Sequence, residues 1–315
     1  MSRDLQTAPP AATPAAEIDV TAALVRRLLV DQHPDLAALP VQPVDAGWDN
    51  AMFRLGVEWA VRLPRREMAA ALIEHEQTWL PHLAPQLPVA VPAPERIGRP
   101  ACGYPWRWSV LAWLPGEPAD LSPLDAEEAA RLADFLRALH VPAAPGAPAN
   151  PFRGVPLADR RETVEARLER LAKQTTCVSE AVLDAWQAGL AAPAGRSACW
   201  VHGDLHARNV LVSEGALTAV IDWGDLCRGD PATDLAAVWM LLDDPDARSN
   251  AIRYYGPAPE GAWLRALGWA VSFGTVLLET GIADHPRHAQ MGRDILRRIA
   301  DGPAASELAD YSTIA

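Results

Sequence analysis

The residues best suited to chemistry in this sequence are Asp204, Asn209 and Asp222, two carboxylates and one carboxamide that stand close together in the chain. Asp204 and Asn209 lie in the segment Trp200–Val212, and Asp222 follows the apolar residues 219–221. A positioned carboxylate can accept the proton of a hydroxyl, and an Asp/Asn pair supplies the hard oxygen ligands that Mg²⁺ prefers. These groups are the equipment for moving a phosphoryl group from a nucleotide to a hydroxyl.

Each of the three residues receives a role from this chemistry. We expect Asp204 to be the catalytic base, which accepts the proton of the attacking hydroxyl and orients its oxygen towards the γ-phosphorus. We expect Asn209 and Asp222 to hold Mg²⁺ with one neutral and one charged oxygen, because this ion takes few protein ligands and completes its shell with phosphate and water.

The neighbouring residues have a structural interpretation. Gly203 permits a tight backbone turn beside Asp204, and His202 is expected to bond the loop to itself. Asp230 precedes Pro231 and is expected to cap a helix, with Asp234 in its first turn, because Asp is common at such positions.

The pattern of apolar residues predicts which elements carry these groups. In the first third of the chain it predicts a helix at 19–31, strands at 41–44, 51–55, 59–63 and 106–114, and a helix at 65–83. After a break at Pro115 and Gly116 the chain is mostly helical, apart from a hairpin of strands at 210–212 and 217–221. The later helices are predicted at 122–139, 157–174, 178–191, 231–242, 259–281 and 284–300.

Composition excludes several classes of protein. The formal net charge of −12 disfavours a nucleic-acid partner, since phosphate backbones need a basic surface, and only mildly favours cationic ligands. The longest apolar run, residues 266–278, is too short to span a membrane and predicts a buried helix. The cysteines show no paired spacing, and residues 1–16 show no secretory pattern. These features predict reduced thiols and a cytoplasmic protein.

The spaced motif His202-Gly-Asp-Leu-His-x-x-Asn209, followed by Ile221-Asp-Trp-Gly-Asp225, resembles the aminoglycoside phosphotransferase family. The resemblance implies an α+β, bilobal protein-kinase-like fold with a small β-rich N-terminal lobe and a larger, mainly helical C-terminal lobe. We divide the chain into a disordered tail (1–16), an N-terminal nucleotide-binding lobe (17–114) and a C-terminal catalytic and substrate-binding lobe (115–315).

The resemblance also implies a cation on the third strand that contacts the nucleotide's phosphates. Arg62 occupies this place, where many relatives have Lys, and its partner on the next helix is expected to be Glu76, with Glu74 as second choice. Arg is a rigid, bidentate donor and Lys a point charge, so the replacement keeps charge but changes geometry. The alternative is a solvated cation at a strand edge, because alternation places Arg62 on the face opposite Val61.

Further nucleotide contacts follow from the same resemblance. Backbone amides near Asp49 and Asn50 are placed to meet phosphate in the turn that begins at Gly47. Backbone groups of Ala112 and Leu114, at the predicted hinge, are expected to meet the edge of a purine. His206 stands where protein kinases carry Lys, which is typical of small-molecule kinases.

The acceptor is less clearly encoded. Carboxylates at Asp225, Asp243 and Glu279 favour an aminoglycoside or related amino sugar, and Trp223 could stack on a ring or a quaternary amine. Choline-like, macrolide and other metabolite hydroxyls remain alternatives, as do solvated acids and core packing at these positions. The donor is ATP or GTP with Mg²⁺, and the chain is a monomer or homodimer. The rival hypothesis is a nucleotide-binding module of the same fold without transfer activity.

Overall fold

A computed structural model of the protein describes residues 16–44, 49–195 and 198–302, together with Leu308. The predicted tail lies outside the described residues except for Ala16, and so do Gly47 and Trp48 of the predicted phosphate-covering turn. Within the described ranges the chain forms a β-sheet lobe followed by a larger helical part, as the α+β prediction requires.

The N-terminal lobe is built on one antiparallel sheet of five strands in the order β1-β2-β3-β5-β4. The strands are β1 (Val41–Pro43), β2 (Asn50–Leu55), β3 (Trp59–Pro64), β4 (Pro94–Gly98) and β5 (Trp108–Ala112). Four of them were predicted. The sequence did not reveal β4, because it is an edge strand whose middle residues are exposed and therefore lack an alternating apolar pattern.

Two helices cover this sheet. Helix α1 (Ala22–Gln32) is capped by Thr21, whose side chain accepts a hydrogen bond from Leu24 N at 3.2 Å. It buries Leu28 and Leu29 in an apolar core that includes Val61 and Leu63 of β3. Helix α2 (Glu67–Leu83) follows β3 directly and runs beside the opposite face of that strand, where Ala60 and Arg62 lie.

The C-terminal lobe contains the remaining elements. Its strands are β6 (Glu117–Pro118), β7 (Cys199–Val201), β8 (Val210–Ser213), β9 (Ala216–Val220) and β10 (Cys227–Gly229). The predicted hairpin is β8–β9, with the turn at Glu214 and Gly215, both of which have positive φ. Strand β6 extends the hairpin, and β10 pairs with β7, so that two small sheets flank the segments on either side of the motif.

Helices make up the rest of this lobe. They are α3 (Ala129–Leu139), α4 (Arg161–Ala172), α5 (Glu180–Ala191), α6 (Ala232–Leu235), α7 (Ala237–Leu241), α8 (Pro245–Tyr255), α9 (Ala262–Asp284) and α10 (Pro286–Ala300). The predicted helix 231–242 is in fact two short helices joined at Ala236. Helix α8 was missed although its start carries a signal: Asp244 accepts from the backbone of Asp246 and Ala247, and Pro245 occupies the first helical position.

The central helix of the lobe is α9. It is the one described helix long and apolar enough to cross a membrane, and 78% of its most apolar window is buried inside the protein. Neighbouring helices α5 and α10 pack against it closely: a Cβ on Gly189 would approach Gly268 Cα to 2.9 Å. The apolar run predicted as a buried helix is therefore the core of this lobe.

Candidate active site

The loop between β7 and β8 carries the predicted catalytic base. Gly203 has φ +85°, which a side chain would strain, and a Cβ there would lie 2.8 Å from Asp225 O. The backbone N–H groups of His202 and Gly203 donate to the buried carboxylate of Asp234 at 2.6 and 2.9 Å. His202 in turn accepts from Asp204 N at 3.2 Å, and its Nε2 lies 3.0 Å from Ile221 O. Hydrogen bonds to Asp234 and to His202 therefore hold this loop, and His202 bonds the loop to itself as expected.

Asp204 lies at the centre of a polar cluster. Asn209 donates its amide to Asp204 O at 2.8 Å and weakly to Oδ2 at 3.4 Å. Arg153 donates to Asp204 Oδ1 at 2.9 Å, and His206 Nε2 lies 3.4 Å from Oδ2. The carboxylate is therefore oriented by three side chains and is largely withdrawn from water.

The electrostatic surroundings keep Asp204 ionised. Burial by itself raises the pKa of Asp204, but the charges of His206 and Arg153 outweigh it and place this pKa below the usual value for an aspartate. Asp225 behaves in the opposite way. Burial and repulsion from Asp204 raise its pKa and together outweigh the attraction of Arg153. The predicted base is therefore an ionised carboxylate at neutral pH, the form that accepts a hydrogen bond from a hydroxyl.

Asp222 follows β9 and lies at the entrance to a one-turn helix. Its backbone is left-handed, with φ 61° and ψ 66°, a conformation that few residues other than glycine adopt. This turn leaves 54% of its side chain exposed and lets Oδ1 accept from Arg62 at 2.6 Å. The strained backbone of Asp222 therefore presents an exposed carboxylate at the position predicted to hold a metal ion.

The donor atoms suit magnesium. Because the amide nitrogen of Asn209 is used on Asp204, its oxygen is left for a cation, and Asp222 offers a second, half-exposed oxygen. The described residues contain no group of three or more His, Cys, Asp or Glu side chains that could hold a metal ion. Two oxygens and no soft ligand fit Mg²⁺, which takes the rest of its shell from phosphates and water.

Arg62 connects the two lobes. It donates from Nη1 to both oxygens of Glu76, at 2.8 and 2.9 Å, and from Nη2 to Asp222. The side chain of Arg62 is 5% exposed and that of Glu76 is 1% exposed, so the solvated-cation alternative is wrong. Strand β3 lies between β2 and β5, and both of its faces are covered, which is why strand alternation did not reveal this burial.

The ion pair shifts both titrations. Burial would lower the pKa of Arg62, but Glu76 and Asp222 outweigh this effect and raise it above its usual value. Burial raises the pKa of Glu76 to about 7, although Arg62 opposes the change. The choice of Glu76 over Glu74 is supported by these contacts, since Glu74 lies 3.5 Å from Arg107 at the surface.

The predicted phosphate turn also adjoins Arg62. With its side-chain oxygen towards the guanidinium, Asn50 accepts from Arg62 Nη2 and Nε at 2.9 and 3.2 Å. The carboxylate of Asp49 pairs with Arg66. Their backbone contacts with a nucleotide stay a prediction.

The predicted hinge lies where β5 ends. Ala112 pairs with Trp59 of β3, and Trp113 N donates to Glu58 O at 2.7 Å. Leu114 is half-buried in the irregular segment that leads to β6. The predicted contacts of Ala112, Leu114 and His206 with a nucleotide remain predictions.

Trp223 does not occupy a place suited to a substrate, and the role predicted for Asp243 stays a prediction. Trp223 is fully buried, donates to Val220 O at 2.9 Å and packs on His202, so it belongs to the core and that prediction is corrected. Asp243 is bound by Arg297 and Arg298 at the far end of α7, and these hydrogen bonds lower its pKa.

The other two predicted acids are also engaged. Asp225 accepts from Asn150 at 2.7 Å, and Glu279 is shared by Arg167 and Arg170. Asp225 lies next to the base, whereas Glu279 lies further along α9. Their carboxylates are satisfied by the protein's own donors.

Sequence reasoning missed Arg153 and Asn150 and gave Asp234 too small a role. Asn150 and Arg153 lie in an irregular loop far from the motif in sequence, with no periodic pattern to single them out. Asp234 was read as a first-turn residue of a helix, yet its fully buried carboxylate holds the catalytic loop. Asp230, the predicted cap, lies one residue before the N-cap Pro231. Its carboxylate accepts from Ala232 N at 3.1 Å and also pairs with Arg265.

The protein has a β-sheet lobe and a helical lobe, and Arg62 contacts residues of both, beside the loop that carries Asp204. These features define a protein of the kinase-like fold. The chain belongs to the phosphotransferase enzyme family, whose sequence profile matches residues 40–269. It is therefore a phosphotransferase with an alcohol group as acceptor, as the motif predicted. No curated protein sequence matches the chain.

Solved structures give the same fold. The GDP complex of wild-type aminoglycoside 2'-phosphotransferase-IIIa is 19% identical, with a TM-score of 0.63, and the match covers 88% of this chain and 98% of that one. Macrolide 2'-phosphotransferase MphH from Brachybacterium faecium is 22% identical, with a TM-score of 0.56, over 87% and 97%. The gentamicin complex of APH(2")-IIa is 17% identical, with a TM-score of 0.55, over 89% and 97%.

Proposed function

We propose that this protein is a small-molecule kinase that transfers the γ-phosphate of ATP or GTP to a hydroxyl, with Mg²⁺ as cofactor. The observation that carries the proposal is the position of Arg62, which binds Glu76 in the N-terminal lobe and Asp222 in the C-terminal lobe at once. This contact supports the proposal, because the cation assigned to the phosphates lies beside the carboxylate assigned to the metal.

The roles of the other residues follow from their contacts. Asp204 accepts the hydrogen bond of the acceptor hydroxyl and takes its proton as the new P–O bond forms, and the nucleoside diphosphate leaves with the electrons of the broken bond. Asn209 fixes Asp204 through its amide nitrogen, and its side-chain oxygen would serve as a ligand of Mg²⁺. Bound Mg²⁺ would neutralise charge on the phosphates.

Positioning accounts for most of the rate in such a site. Asp204 is held by Arg153 and Asn209, and its loop is held by Asp234, so little reorganisation is needed when a hydroxyl arrives. Its lowered pKa keeps it ionised, which suits a base that orients the oxygen first and receives the proton late.

The test is nucleotide turnover in the presence of candidate acceptors. Wild-type protein, with ATP or GTP and Mg²⁺, is assayed for nucleoside diphosphate release on amino sugars, amines, macrolides and hydroxy acids. Asp204→Asn is expected to lower kcat by about 10³-fold while nucleotide binding persists, since general-base catalysis contributes about 10²–10⁴-fold. Asp184→Asn, an exposed aspartate on α5, is the matched control and should behave as wild type.

Two results would contradict the proposal. One is turnover that Asp204→Asn leaves unchanged, which would assign the activity to other residues. The other is nucleotide binding without Mg²⁺-dependent transfer to any acceptor in wild type, which would favour the rival hypothesis of a binding module.

Amino sugars and macrolides enter the acceptor panel because structural neighbours of this chain are named for acting on them. An aminoglycoside is the acceptor suggested by the sequence, and a choline-like amine is its alternative. A cytoplasmic monomer or homodimer without nucleic-acid or membrane partners is part of the same proposal, in keeping with the burial of α9.

A further inference from the structure

The acids expected to hold a cationic acceptor are bound by cations of the protein. Glu279 accepts from Arg167 Nε at 3.0 Å and from Arg170 Nε at 2.7 Å, so one carboxylate serves two guanidinium groups. Asp225 accepts from Asn150 and lies 3.8 Å from Arg153 Nε. Although the chain as a whole is acidic, the region beside the base is therefore rich in arginine.

Two guanidinium groups of this region, those of Arg153 and Arg160, lie over aromatic rings, and Arg153 also binds Asp204. The guanidinium carbon of Arg153 lies 4.8 Å from the ring centre of Phe273, and that of Arg160 lies 5.5 Å from the ring centre of Phe152. Stacking fixes the plane of each guanidinium and leaves its edge free for hydrogen bonds. Phe152 itself is 51% exposed, so this group lies at an open surface of the cleft rather than in the core.

Both arginines have unsatisfied donors. The Nε atoms of Arg153 and Arg160 are buried and have no hydrogen-bond partner, and Arg160 pairs with no carboxylate in the described part of the chain. Burial, followed by the charges of Arg153 and Arg167, lowers the pKa of Arg160. An unpaired buried donor costs about 1–3 kcal/mol, and an oxyanionic ligand between the two guanidinium groups would supply acceptors to them.

We propose that this arginine cluster, Arg153 and Arg160 with Arg167 behind them, binds an oxyanionic group of the acceptor, a carboxylate or a phosphate. Arginine forks match the geometry of both groups through paired hydrogen bonds. The inference rests on the proposed function, because it concerns the molecule whose hydroxyl Asp204 receives.

Arg153 connects this cluster directly to the base. Arg153 Nη2 donates to Asp204 Oδ1 at 2.9 Å, which leaves its other donors and those of Arg160 for the acceptor. In the transfer, the hydroxyl oxygen of the acceptor forms the bond to the γ-phosphorus, its proton passes to Asp204, and the oxyanionic group remains unchanged. The same cations repel an acceptor with several ammonium groups.

The experiment compares related polyhydroxy compounds that carry different charges. Gluconate and glucose 6-phosphate provide the carboxylate and phosphate arms, and glucose and glucosamine are the neutral and cationic counterparts. Binding is measured by calorimetry in the presence of nucleotide and Mg²⁺, and transfer by nucleoside diphosphate release. We expect the oxyanionic compounds to bind at least about tenfold more tightly than glucose, the size of one charged hydrogen bond.

Variants of neighbouring arginines assign the effect. Arg160→Met should raise the Kd and KM of the oxyanionic compounds about tenfold, and Arg160→Lys should recover much of this loss because it keeps the charge. Arg161→Met is the matched control, since Arg161 is half-exposed on α4 and lies 3.6 Å from Glu165.

Three outcomes would overturn the inference. They are equal binding of glucose and its oxyanionic forms, an equal loss in the Arg160→Met and Arg161→Met variants, and a loss of nucleotide rather than acceptor affinity in Arg160→Met. Failure of the proposed function is read separately, since anion binding that depends on Arg160 can be measured when Asp204-dependent turnover is absent.

Discussion

Two arginines hold Asp204 and Asp222, the carboxylates proposed as base and metal ligand, in different ways. Arg62 binds Asp222 from a central strand through Nη2, and its Nη1 donates to both oxygens of Glu76. Arg153 binds Asp204 from an irregular loop, and its side chain is 22% exposed, against 5% for Arg62. The contact between Arg62 and Asp222 is therefore rigid and buried on the side of the arginine. The contact between Arg153 and Asp204 is partly exposed, and Arg153 Nε has no hydrogen-bond partner.

The difference separates two tasks of the site. A nucleotide's phosphates are the same for every acceptor, so a preorganised cation between the lobes serves all turnovers. The side that receives the acceptor must adapt to a particular molecule, and loops are where such specificity is commonly placed. In the proposed function Arg62 therefore serves the nucleotide, whereas Arg153 and its neighbours are proposed to bear on the acceptor.

Among the arginine variants, the largest effect is expected from Arg62→Met. Loss of the cation leaves Glu76 buried without a partner, a change that costs about 3–5 kcal/mol when one member of a buried pair is removed. We expect a lower Tm and a fall of about 100-fold in kcat/KM for the nucleotide, measured by calorimetry and steady-state kinetics. The double variant Arg62→Met with Glu76→Gln should regain much of the Tm but not the activity, and recovery of neither would mean that the pair acts independently.

A smaller effect with a different signature is expected from Arg153→Met. Arg153 lowers the pKa of Asp204, and the base works only when ionised, so removing the cation raises that pKa and moves the acid limb of the kcat/KM profile to higher pH. At neutral pH the loss should be about tenfold, the value of one charged hydrogen bond. An unmoved acid limb would show that Arg153 does not act through Asp204.

The smallest effect is expected from Arg62→Lys, which keeps the charge and loses the fork. A single ammonium cannot reproduce the contacts to Glu76 and Asp222 together, so the KM for the nucleotide should rise about fivefold, equivalent to about 1 kcal/mol, with kcat nearly unchanged. A variant as impaired as Arg62→Met would show that geometry outweighs charge at this position.

Local patterns were sufficient for most of the elements. Strands β2 and β3 and helices α1 and α2 lie where apolar spacing and turn residues place them, and the motif residues lie next to strands as expected. The failures have physical causes: β4 is an exposed edge strand, and α8 is short and polar, with its apolar residues too few to form a clear stripe.

Side-chain environments were harder to foresee than elements. The full burial of Trp223 and the occupation of Glu279 by Arg167 and Arg170 depend on which distant segments meet, and spacing along the chain carries no information about that. The same applies to Arg153, whose contact with Asp204 bridges two segments with no pattern in common.

The sequence by itself determined the reaction class, because Asp204, Asn209 and Asp222 lie in two short motifs whose spacing survives in the fold. It also determined the lobes, since strand and helix periods are local properties. Only the tertiary structure decided how Arg62 is buried, that Asp234 holds the catalytic loop, and that arginines rather than free acids lie beside the base. The charge at a site depends on all the groups that packing brings together. The spacing of residues within one segment does not predict that packing.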